Sequence, residues 1–393
     1  MHCLMQPPRQ PLCRLARQRG RSVVLSGYAA TVVCYKARMA FAILVGRASA
    51  SCQDTSPGGI RIRVNFLSHW IFVDTSVRPK RVLAICYSQT GQLGRIARQI
   101  LAPMQENPGV YVHLEVLRPV PAYPFPWPFF RFFDAFPEAA HLIGPKLEPL
   151  TLNGDEDFDL VILFYQVWFL APSLPVTAFL QHPLAVRLLK GKPVITVIAC
   201  RNMWLKAQEK MLNMLSGVNA RLIDNVVLTD RGNVFATLIS TPLWFLTGKQ
   251  TRFFGLPPPG IAPSEILQTR RFGLALRDAL ADDAEKNTTS LLSGLNAVEA
   301  NPKLYFAEQA ATRSFYLWGK LIRAAGEPGQ WRRKPLLILY VIFLVALIVT
   351  VIPVSLTLQT LIRPLLRKKL AQMKYHFELP SGSGIERMSD HVS

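Results

Sequence analysis

The sequence predicts an α/β protein with a doubly wound, mostly parallel sheet of five strands and a C-terminal transmembrane helix. Five short apolar runs alternate with segments of helical spacing, which is the pattern of a parallel sheet with helical crossovers. Polar or aromatic loops follow three of these runs, and ligands bind at the carboxyl ends of strands in such sheets. A long uncharged run lies near the C-terminus. The predicted strands are 82–87, 110–117, 159–164, 191–200 and 221–228.

The net charge of +20 is better explained by a membrane than by nucleic acid. Residues 1–78 hold 11 Lys/Arg and 2 Asp/Glu, or +9, and much of the remaining +11 lies beside the apolar C-terminal run. Basic residues next to such a run are typical of a membrane flank. Hydrophobic residues make up 50% of the chain, which also favours a membrane segment. We therefore expect no nucleic-acid partner.

Residues 1–78 are a basic N-terminal extension to which we assign no function. Their apolar runs are too short to span a bilayer, and a clean cleavage pattern is missing. A presequence and an over-extended start, with translation beginning at Met39 or later, both stay open. Four of the six cysteines lie here, leaving Cys86 and Cys200, each near a predicted strand end. This spacing indicates neither a disulfide framework nor a metal site.

A polar turn at 88–92 joins the first predicted strand to a predicted helix. Leu93, Ile96 and Ile100 recur at helical spacing in that helix. The order strand, turn and helix places backbone N–H groups and the hydroxyls of Ser88 and Thr90 at a helix N-terminus, where a phosphate is favoured. An ordinary turn that binds nothing is the alternative, because one short motif is weak evidence.

Residues 119–136 are dense in proline and aromatic residues, so neither a strand nor a long helix fits them well. Two interpretations have equal weight. The segment packs over the core of its own domain, or it forms an apolar lid over a lipophilic ligand or a membrane-touching edge. A second apolar stretch, 241–247, suits a hydrophobic pocket, and we expect it to lie in the core.

Two more loops follow predicted strands, at 165–175 and 201–204. An amphipathic helix from Ser264 to Leu280 is predicted to close the α/β domain, which we place at residues 79–285. Residues 286–334 are predicted to be a linker and a short helix.

The turn at 88–91 resembles the phosphate-binding loop of flavodoxin-like proteins, in which a hydroxyl-x-Thr-Gly turn wraps the phosphate of FMN. Residues 165–175 resemble the loop that lies against the isoalloxazine ring in the same superfamily. The loop at 201–204 occupies the position of the second flavin loop. The resemblance to the superfamily covers residues 80–285. Within it, the turn at 87–93, the loop at 201–204 and the C-terminal extension most resemble the dialkylresorcinol condensing enzyme family.

The resemblance implies FMN as cofactor, with NAD(P)H or a quinone as redox partner. Tyr165, Trp168 and Trp204 are candidates to stack on or edge the flavin ring, and a place in the core or at its rim is the equal alternative for each. Asn202 is a candidate to bond the pyrimidine edge of the ring, or else to cap the helix that follows. Leu93 is a departure, because flavodoxins usually have Thr or Ser there, so the loop loses a hydroxyl donor. No catalytic base and no metal site are identified. The implied cofactor-binding residues are Ser88, Gln89, Thr90, Gly91, Gln92, Gln166, Val167, Trp168, Phe169, Arg201, Asn202, Met203 and Trp204.

Residues 335–362 contain no charged residue and are long enough for one transmembrane helix. Basic residues lie on both flanks, so the positive-inside rule does not decide the orientation. We expect the flavodoxin-like domain to face the cytoplasm. Residues 363–393 are predicted to be a basic, polar tail.

The family resemblance implies a membrane-anchored, FMN-dependent oxidoreductase or aromatase in dialkylresorcinol-type lipid biosynthesis. Its expected partners are a lipophilic small molecule, the membrane, a ketosynthase and an acyl carrier protein. An NAD(P)H:quinone reductase-like flavoprotein is the main rival. A scaffold that has the fold without the cofactor, and that docks biosynthetic partners at the membrane, is the alternative from a different class.

Overall fold

The computed structural model describes residues 78–230, 234–250 and 258–391, together with four two-residue strands nearer the N-terminus. These are β1 (Ala16–Arg17), β2 (Val23–Val24), β3 (Arg61–Ile62) and β4 (Val73–Asp74), which pair antiparallel as β1 with β2 and β3 with β4. Apart from these strands and Arg78, the predicted N-terminal extension lies outside the described residues.

By its internal contacts the chain divides into two units. The first is Met1–Pro79 with Asn107–Gly109, and the second is Lys80–Glu106 with Val110–Ser393. Every element named below begins and ends in the second unit.

The second unit is built on one sheet whose five parallel strands lie in the order β12-β11-β9-β5-β6. Counted along the chain, this order is 2-1-3-4-5, which is that of the flavodoxin-like doubly wound fold. A separate antiparallel pair is formed by β7 (Pro119–Val120) and β8 (Lys146–Leu147). The strands of the sheet are β5 (Lys80–Cys86), β6 (Val110–Val116), β9 (Leu160–Trp168), β11 (Pro193–Cys200) and β12 (Arg221–Thr229).

Helices connect these strands and continue the chain after the last of them. They are α1 (Gln92–Gln105), α2 (Phe129–Asp134), α3 (Phe136–Ala140), α4 (Leu174–Gln181), α5 (Pro183–Leu189), α6 (Leu205–Gly217), α7 (Val234–Thr247), α8 (Pro263–Gln268), α9 (Arg270–Ala281), α10 (Tyr305–Ala324) and α11 (Lys334–Glu378). Short 3₁₀ turns lie at Ala284–Lys286, Pro302–Leu304, Trp331–Arg333 and Met388–His391.

The central strands are buried on both faces, and the edge strand is not. Val82 to Cys86 in β5 are all buried, as expected for a continuous apolar run between two layers of helices. In β6 the side chains of Tyr111, Leu114 and Val116 are exposed. The alternating pattern of this run predicts an edge strand, and β6 does lie at one end of the strand order.

The sheet has a sixth strand that the sequence pattern does not predict. β9 continues past Phe164, through residues expected to be a loop, and ends only at Trp168. Phe169 and Leu170 then adopt left-handed backbone angles, with φ of 49° and 58°. The chain turns back there, and β10 (Ala171–Pro172) pairs antiparallel with the end of β9. The predicted flavin loop is therefore a tight hairpin at the end of a strand.

The predicted helix 264–280 is divided in two at Thr269, between α8 and α9. α9 packs closely on α1, and Gly273 permits the close approach. A Cβ atom at this position would lie 2.1 Å from the carbonyl oxygen of Ile100. This contact brings the closing helix onto the layer that carries the predicted phosphate turn.

Residues 291–300, within the segment predicted to be a linker, are largely buried, whereas residues 286–289 are exposed. Leu292, Leu295 and Val298 are fully buried. The Val227 amide of β12 donates to the Ala297 carbonyl at 2.8 Å. The segment therefore covers the outer side of β12.

α11 is longer than predicted and contains the predicted span. Trp331–Thr350 is long and apolar enough to cross a membrane, with a mean hydropathy of 2.1 and 17% of its residues buried. The helix continues to Glu378, and the residues after it pack against the sheet unit. Phe377 and Ser381 are buried. The expected basic tail, residues 363–393, thus includes two side chains that are buried against distant parts of the chain.

Candidate functional site

A cavity of about 350 Å³ lies at the carboxyl ends of β5, β9, β11 and β12. It lies beside the point where the strand order reverses, between β5 and β9, which is where ligands bind in doubly wound sheets. Eight of the residues implied by the resemblance line it. They are Thr90, Gln92, Gln166, Val167, Trp168, Phe169, Arg201 and Met203.

Helices from distant parts of the chain form the other walls of this cavity. α7 contributes Trp244 and Phe245, and α10 contributes Phe315. The described lining is almost entirely apolar away from the strand ends. α11 supplies the wall Phe343, Leu344, Leu347 and Ile348. The cavity therefore extends from the predicted phosphate turn to the apolar C-terminal helix, which suits a ligand with both a polar and a lipophilic part.

The turn 88–92 forms the N-terminus of α1. Gly91 has a left-handed φ of 78°, and a Cβ atom there would meet no atom within 4 Å. The Ser88 hydroxyl accepts from the Gly94 amide at 3.0 Å, and the Thr90 hydroxyl from the Gln92 amide at 3.5 Å. Each hydroxyl accepts in these bonds, so its own hydrogen remains available to donate.

Gln89, in the same turn, has a structural role. Its side-chain oxygen accepts from the Tyr87 hydroxyl, and its amide group donates to the Pro124 carbonyl at 2.7 Å. This side chain is buried and does not line the cavity. Gln89 therefore ties the aromatic segment 119–136 to the turn, rather than facing a ligand.

The hairpin after β9 gives the cavity its most distinctive polar atom. Gln166 lines the cavity, and its side-chain oxygen is buried without a hydrogen-bond partner among the described residues. Trp168 lies next to it, in edge contacts with Tyr123 and Trp127 at ring-centroid distances of 5.1 and 5.5 Å. An orphaned buried acceptor is costly, so Gln166 is suited to a ligand that donates a hydrogen bond.

Tyr165, one residue earlier, lies on the other side of the strand. It is fully buried, and its hydroxyl donates to the Gln208 side-chain oxygen at 2.6 Å. The structure therefore places Tyr165 in the core instead of beside a ring ligand.

A cation and an anion line the cavity at the loops after β11 and β12. Arg201 and Asp230 are the charged residues among those described as lining the cavity. Burial lowers the pKa of the Arg201 guanidinium, and the negative charge of Asp230 offsets part of this effect. Asp230 also accepts from the Gly260 amide at 3.0 Å. The neighbouring Cys200 thiol has a pKa well above its usual value because it is buried, so it stays protonated.

Two residues of the loop 201–204 lie outside the cavity lining. Trp204 is 1% exposed and packs edge-on against Phe377, with ring centroids 6.3 Å apart. Asn202 is half-buried and also does not line the cavity. The ring-stacking role expected of Trp204 is thus not supported by its position, because the C-terminal segment covers this tryptophan.

Sequence reasoning missed several of the residues that shape the cavity. Asp230 follows β12 directly, as polar residues follow the other strands. This position after a strand could have identified it as a candidate site residue. Thr241, Trp244 and Phe245 line the cavity, although they lie in the stretch 241–247 that we expected in the core. No local pattern in the sequence indicates that Phe343 reaches this site.

Glu308 of α10 lies against the first turn of α6, and we expect it to make the stability of the protein depend on pH. Its carboxylate accepts from the Lys206 amide at 2.8 Å, and burial raises its pKa from 4.5 to about 7. Between these two values the folded state binds more protons than the unfolded state. We therefore expect the free energy of unfolding to fall as the pH rises through this window, and Glu308→Gln to remove that decrease.

Denaturant unfolding at about pH 5 and about pH 7 measures the change in the free energy of unfolding. The exposed Glu299→Gln is the control, and an unchanged pH dependence in Glu308→Gln would contradict the prediction.

Comparison with known proteins adds fold similarity but no family. No protein-family model matches the chain, and no curated protein matches it. Solved structures that match include a flavoprotein in complex with FMN from Lactobacillus acidophilus NCFM, at 13% identity and a TM-score of 0.31, covering 38% of this chain and 93% of that one. A flavodoxin from the domain Archaea matches at 10% identity and a TM-score of 0.28, covering 51% and 99%. Oxidised flavodoxin 1 from Bacillus cereus matches at 15% identity and a TM-score of 0.24, covering 43% and 99%. These scores are low, so the strand order carries the assignment of a flavodoxin-like fold.

The described residues fit a flavin mononucleotide in three respects. The uncrowded N-terminus of α1 at Gly91 suits a phosphate, because the helix dipole favours an anion there and the hydroxyls of Ser88 and Thr90 can donate to it. Gln166 offers a buried acceptor without a partner. Trp168 and Phe169 offer flat apolar faces beside it.

Proposed function

We propose that this protein is a membrane-anchored, FMN-dependent oxidoreductase that acts on a lipophilic ring compound. The main support for this proposal is that a single cavity extends from the turn at Thr90 to Phe343 and Leu347 of α11. A cavity that served only a water-soluble electron carrier would not need an apolar wall from a helix of membrane-spanning length.

FMN, when bound, supplies the ring that accepts a hydride from the substrate. The chain's own residues have the remaining roles. Thr90 and the first amides of α1 bind the phosphate, and Gln166 orients the polar edge of the ring. Asp230 is the carboxylate among the described lining residues, and we propose it as the group that holds the proton released from the substrate.

The substrate class that we propose is a ring with alkyl chains, as in dialkylresorcinol-type lipids. Burial of an alkyl chain contributes about 0.8 kcal/mol per methylene, and the α7 and α11 walls offer apolar surface for it. A ketosynthase and an acyl carrier protein are the proposed partners that deliver such a substrate. The membrane is the proposed location, with the flavodoxin-like domain in the cytoplasm.

Titration of the purified full-length chain with FMN tests this function directly. We expect quenching of flavin fluorescence and a flavin absorbance spectrum that remains with the protein after gel filtration. A protein that takes up no FMN would contradict the proposal and favour the cofactor-free scaffold. A protein that binds FMN and reduces quinones with NAD(P)H, but leaves alkylated rings unchanged, would favour the quinone reductase.

Thr90→Val tests the phosphate turn. Valine has the shape of threonine but lacks the hydroxyl hydrogen that we assign to the phosphate. We expect FMN affinity to fall by about 1.5–3 kcal/mol, roughly tenfold to a hundredfold, because the lost bond is to a charged group. Fluorescence titration measures the change, and the exposed Thr289→Val is the control. Equal affinity in the two variants would place the phosphate elsewhere.

A further inference from the structure

The two ends of α11 are both embedded in the same folded unit. At its start, Arg333 is fully buried and lies 2.9 Å from Asp134 and 3.0 Å from Glu138. These carboxylates belong to α2 and α3, and they fix the beginning of the helix next to the cavity.

The C-terminal end of α11 also packs against the folded unit. Phe377 packs against Trp204 and Tyr305, with ring centroids 6.3 and 5.8 Å apart. Three residues beyond the helix, the Ser381 hydroxyl donates to Asp224 at 2.6 Å and accepts from the Asn225 amide at 2.8 Å. Both acceptor and donor belong to β12, so the end of the helix is attached to the sheet.

The apolar half of α11 has one covered face and one exposed face. Leu337 and Tyr340 are buried, and Leu344 and Ile348 line the cavity. Side chains on the opposite face are 46–66% exposed, at the spacing of a single helical stripe. This exposed stripe consists of Ile338, Ile342, Val345 and Val349.

A straight crossing of the bilayer would carry charged parts of the domain into hydrocarbon. Trp318 of α10 packs on Tyr340 and Phe343, with ring centroids 5.8 and 5.3 Å apart. Lys320 and Arg323 lie within two turns of Trp318 on α10 and are exposed. Each charge at the centre of a membrane costs at least about 2.5–3.5 kcal/mol. A crossing would also place the Arg333 and Ser381 ends on opposite sides of about 30 Å of hydrocarbon.

We propose that α11 is a one-sided membrane element, which presses its exposed stripe into a single leaflet and enters and leaves on the same side. This proposal rests on the membrane attachment in the proposed function and replaces the predicted crossing. The partner surface is an anionic leaflet, because residues 331–377 contain no Asp or Glu and several cations, and these attract acidic headgroups. Apart from Arg333, which is buried beside Asp134 and Glu138, the cations are Arg332, Lys334, Arg363, Arg367, Lys368, Lys369 and Lys374. The helix then lies between the cavity and the lipid, which gives lipophilic substrates a short route to the site.

An accessibility experiment on the full chain tests the sidedness. One epitope tag is appended after Ser393, and in a second variant the same tag is inserted in the exposed turn between Glu327 and Pro328. Antibody binding is measured on sealed membrane vesicles of each orientation and again after the vesicles are opened. We expect the two tags to be accessible in the same sealed preparation. Accessibility in opposite preparations would overturn the one-sided proposal and restore a crossing helix, while leaving the membrane attachment intact.

Vesicle binding tests the exposed stripe separately. Ile342→Asp is expected to weaken sedimentation with phosphatidylglycerol-containing vesicles by about tenfold or more, because it places a charge where an apolar side chain is buried in lipid. Leu267→Asp is the matched control, since Leu267 is 62% exposed on α8 and should leave binding unchanged. Circular dichroism checks that both variants fold. A wild-type chain that binds no vesicles would overturn both the attachment and the one-sided proposal. Self-association of the chain through the exposed stripe, in place of vesicle binding, would also overturn both the attachment and the one-sided proposal.

Discussion

Arg333→Met is expected to lower the free energy of unfolding by about 3–5 kcal/mol, because it removes the buried cation from Asp134 and leaves Glu138 with only the exposed Arg323 at 3.8 Å. Arg333 donates to both oxygens of Glu138, at 3.2 and 3.0 Å, and lies 2.9 Å from Asp134. Methionine retains the apolar stem and removes only the charge and the donors. Chemical denaturation of the full chain in detergent measures the change.

The variant should also change the pH dependence. Burial raises the pKa of Glu138, and Arg333 counteracts this effect. Without the arginine the pKa rises further, so part of the lost stability should return as the pH falls and the carboxyl becomes protonated. Arg332→Met is the matched control, because its side chain is exposed, and it should change stability by less than about 0.5 kcal/mol. Equal effects of the two substitutions would show that the buried ion cluster does not hold α11 in place.

Asp224→Ala is expected to cost about 3 kcal/mol or more, because this buried carboxylate accepts four hydrogen bonds that join distant segments to β12. The donors are the Leu291 amide at 2.7 Å, the Leu292 amide at 3.3 Å, and the hydroxyls of Ser290 and Ser381. Loss of these bonds should release the segment after Glu378. Limited proteolysis between residues 379 and 388 should therefore become faster than in the wild type.

Asp278→Ala is the control for this second prediction. Asp278 is exposed and pairs with Arg277 at 2.7 Å, and surface pairs of this kind contribute about 1 kcal/mol or less. If Asp224→Ala and Asp278→Ala were equally mild, the C-terminal segment would not depend on Asp224. The same contacts imply that truncation at Trp331 destabilises the domain, because it removes Tyr340, Phe377 and Ser381 from buried positions.

The parallel strands were predictable because each is a continuous apolar run that is buried on both faces. The pattern of Val82 to Tyr87 depends only on neighbouring residues, and β5 occupies Lys80–Cys86. Thr90, Gln166 and Arg201 lie at the carboxyl ends of strands, and the topology of a parallel sheet brings such positions to one edge. Their places in the cavity lining follow from that rule.

Trp204 shows where the same reasoning stops. It follows β11 as Arg201 does, yet Phe377, which lies 173 positions later in the chain, covers it. A local pattern cannot indicate which side chain will arrive from such a distance. Sequence spacing therefore identified the loop, but the long-range packing decides which of its side chains face the cavity.

Local patterns were enough to indicate a doubly wound sheet with a polar turn before its first helix, and one helix long enough for a membrane. These features depend on apolar periodicity and on the length of uncharged runs, which are local properties. Long-range packing places this helix in a wall of the cavity and joins both of its ends to the same unit. Those results depend on the pairs Arg333–Glu138 and Ser381–Asp224, whose partners are 195 and 157 positions apart. Burial makes the loss of one partner of such a pair costly, and burial is a property of the folded chain alone.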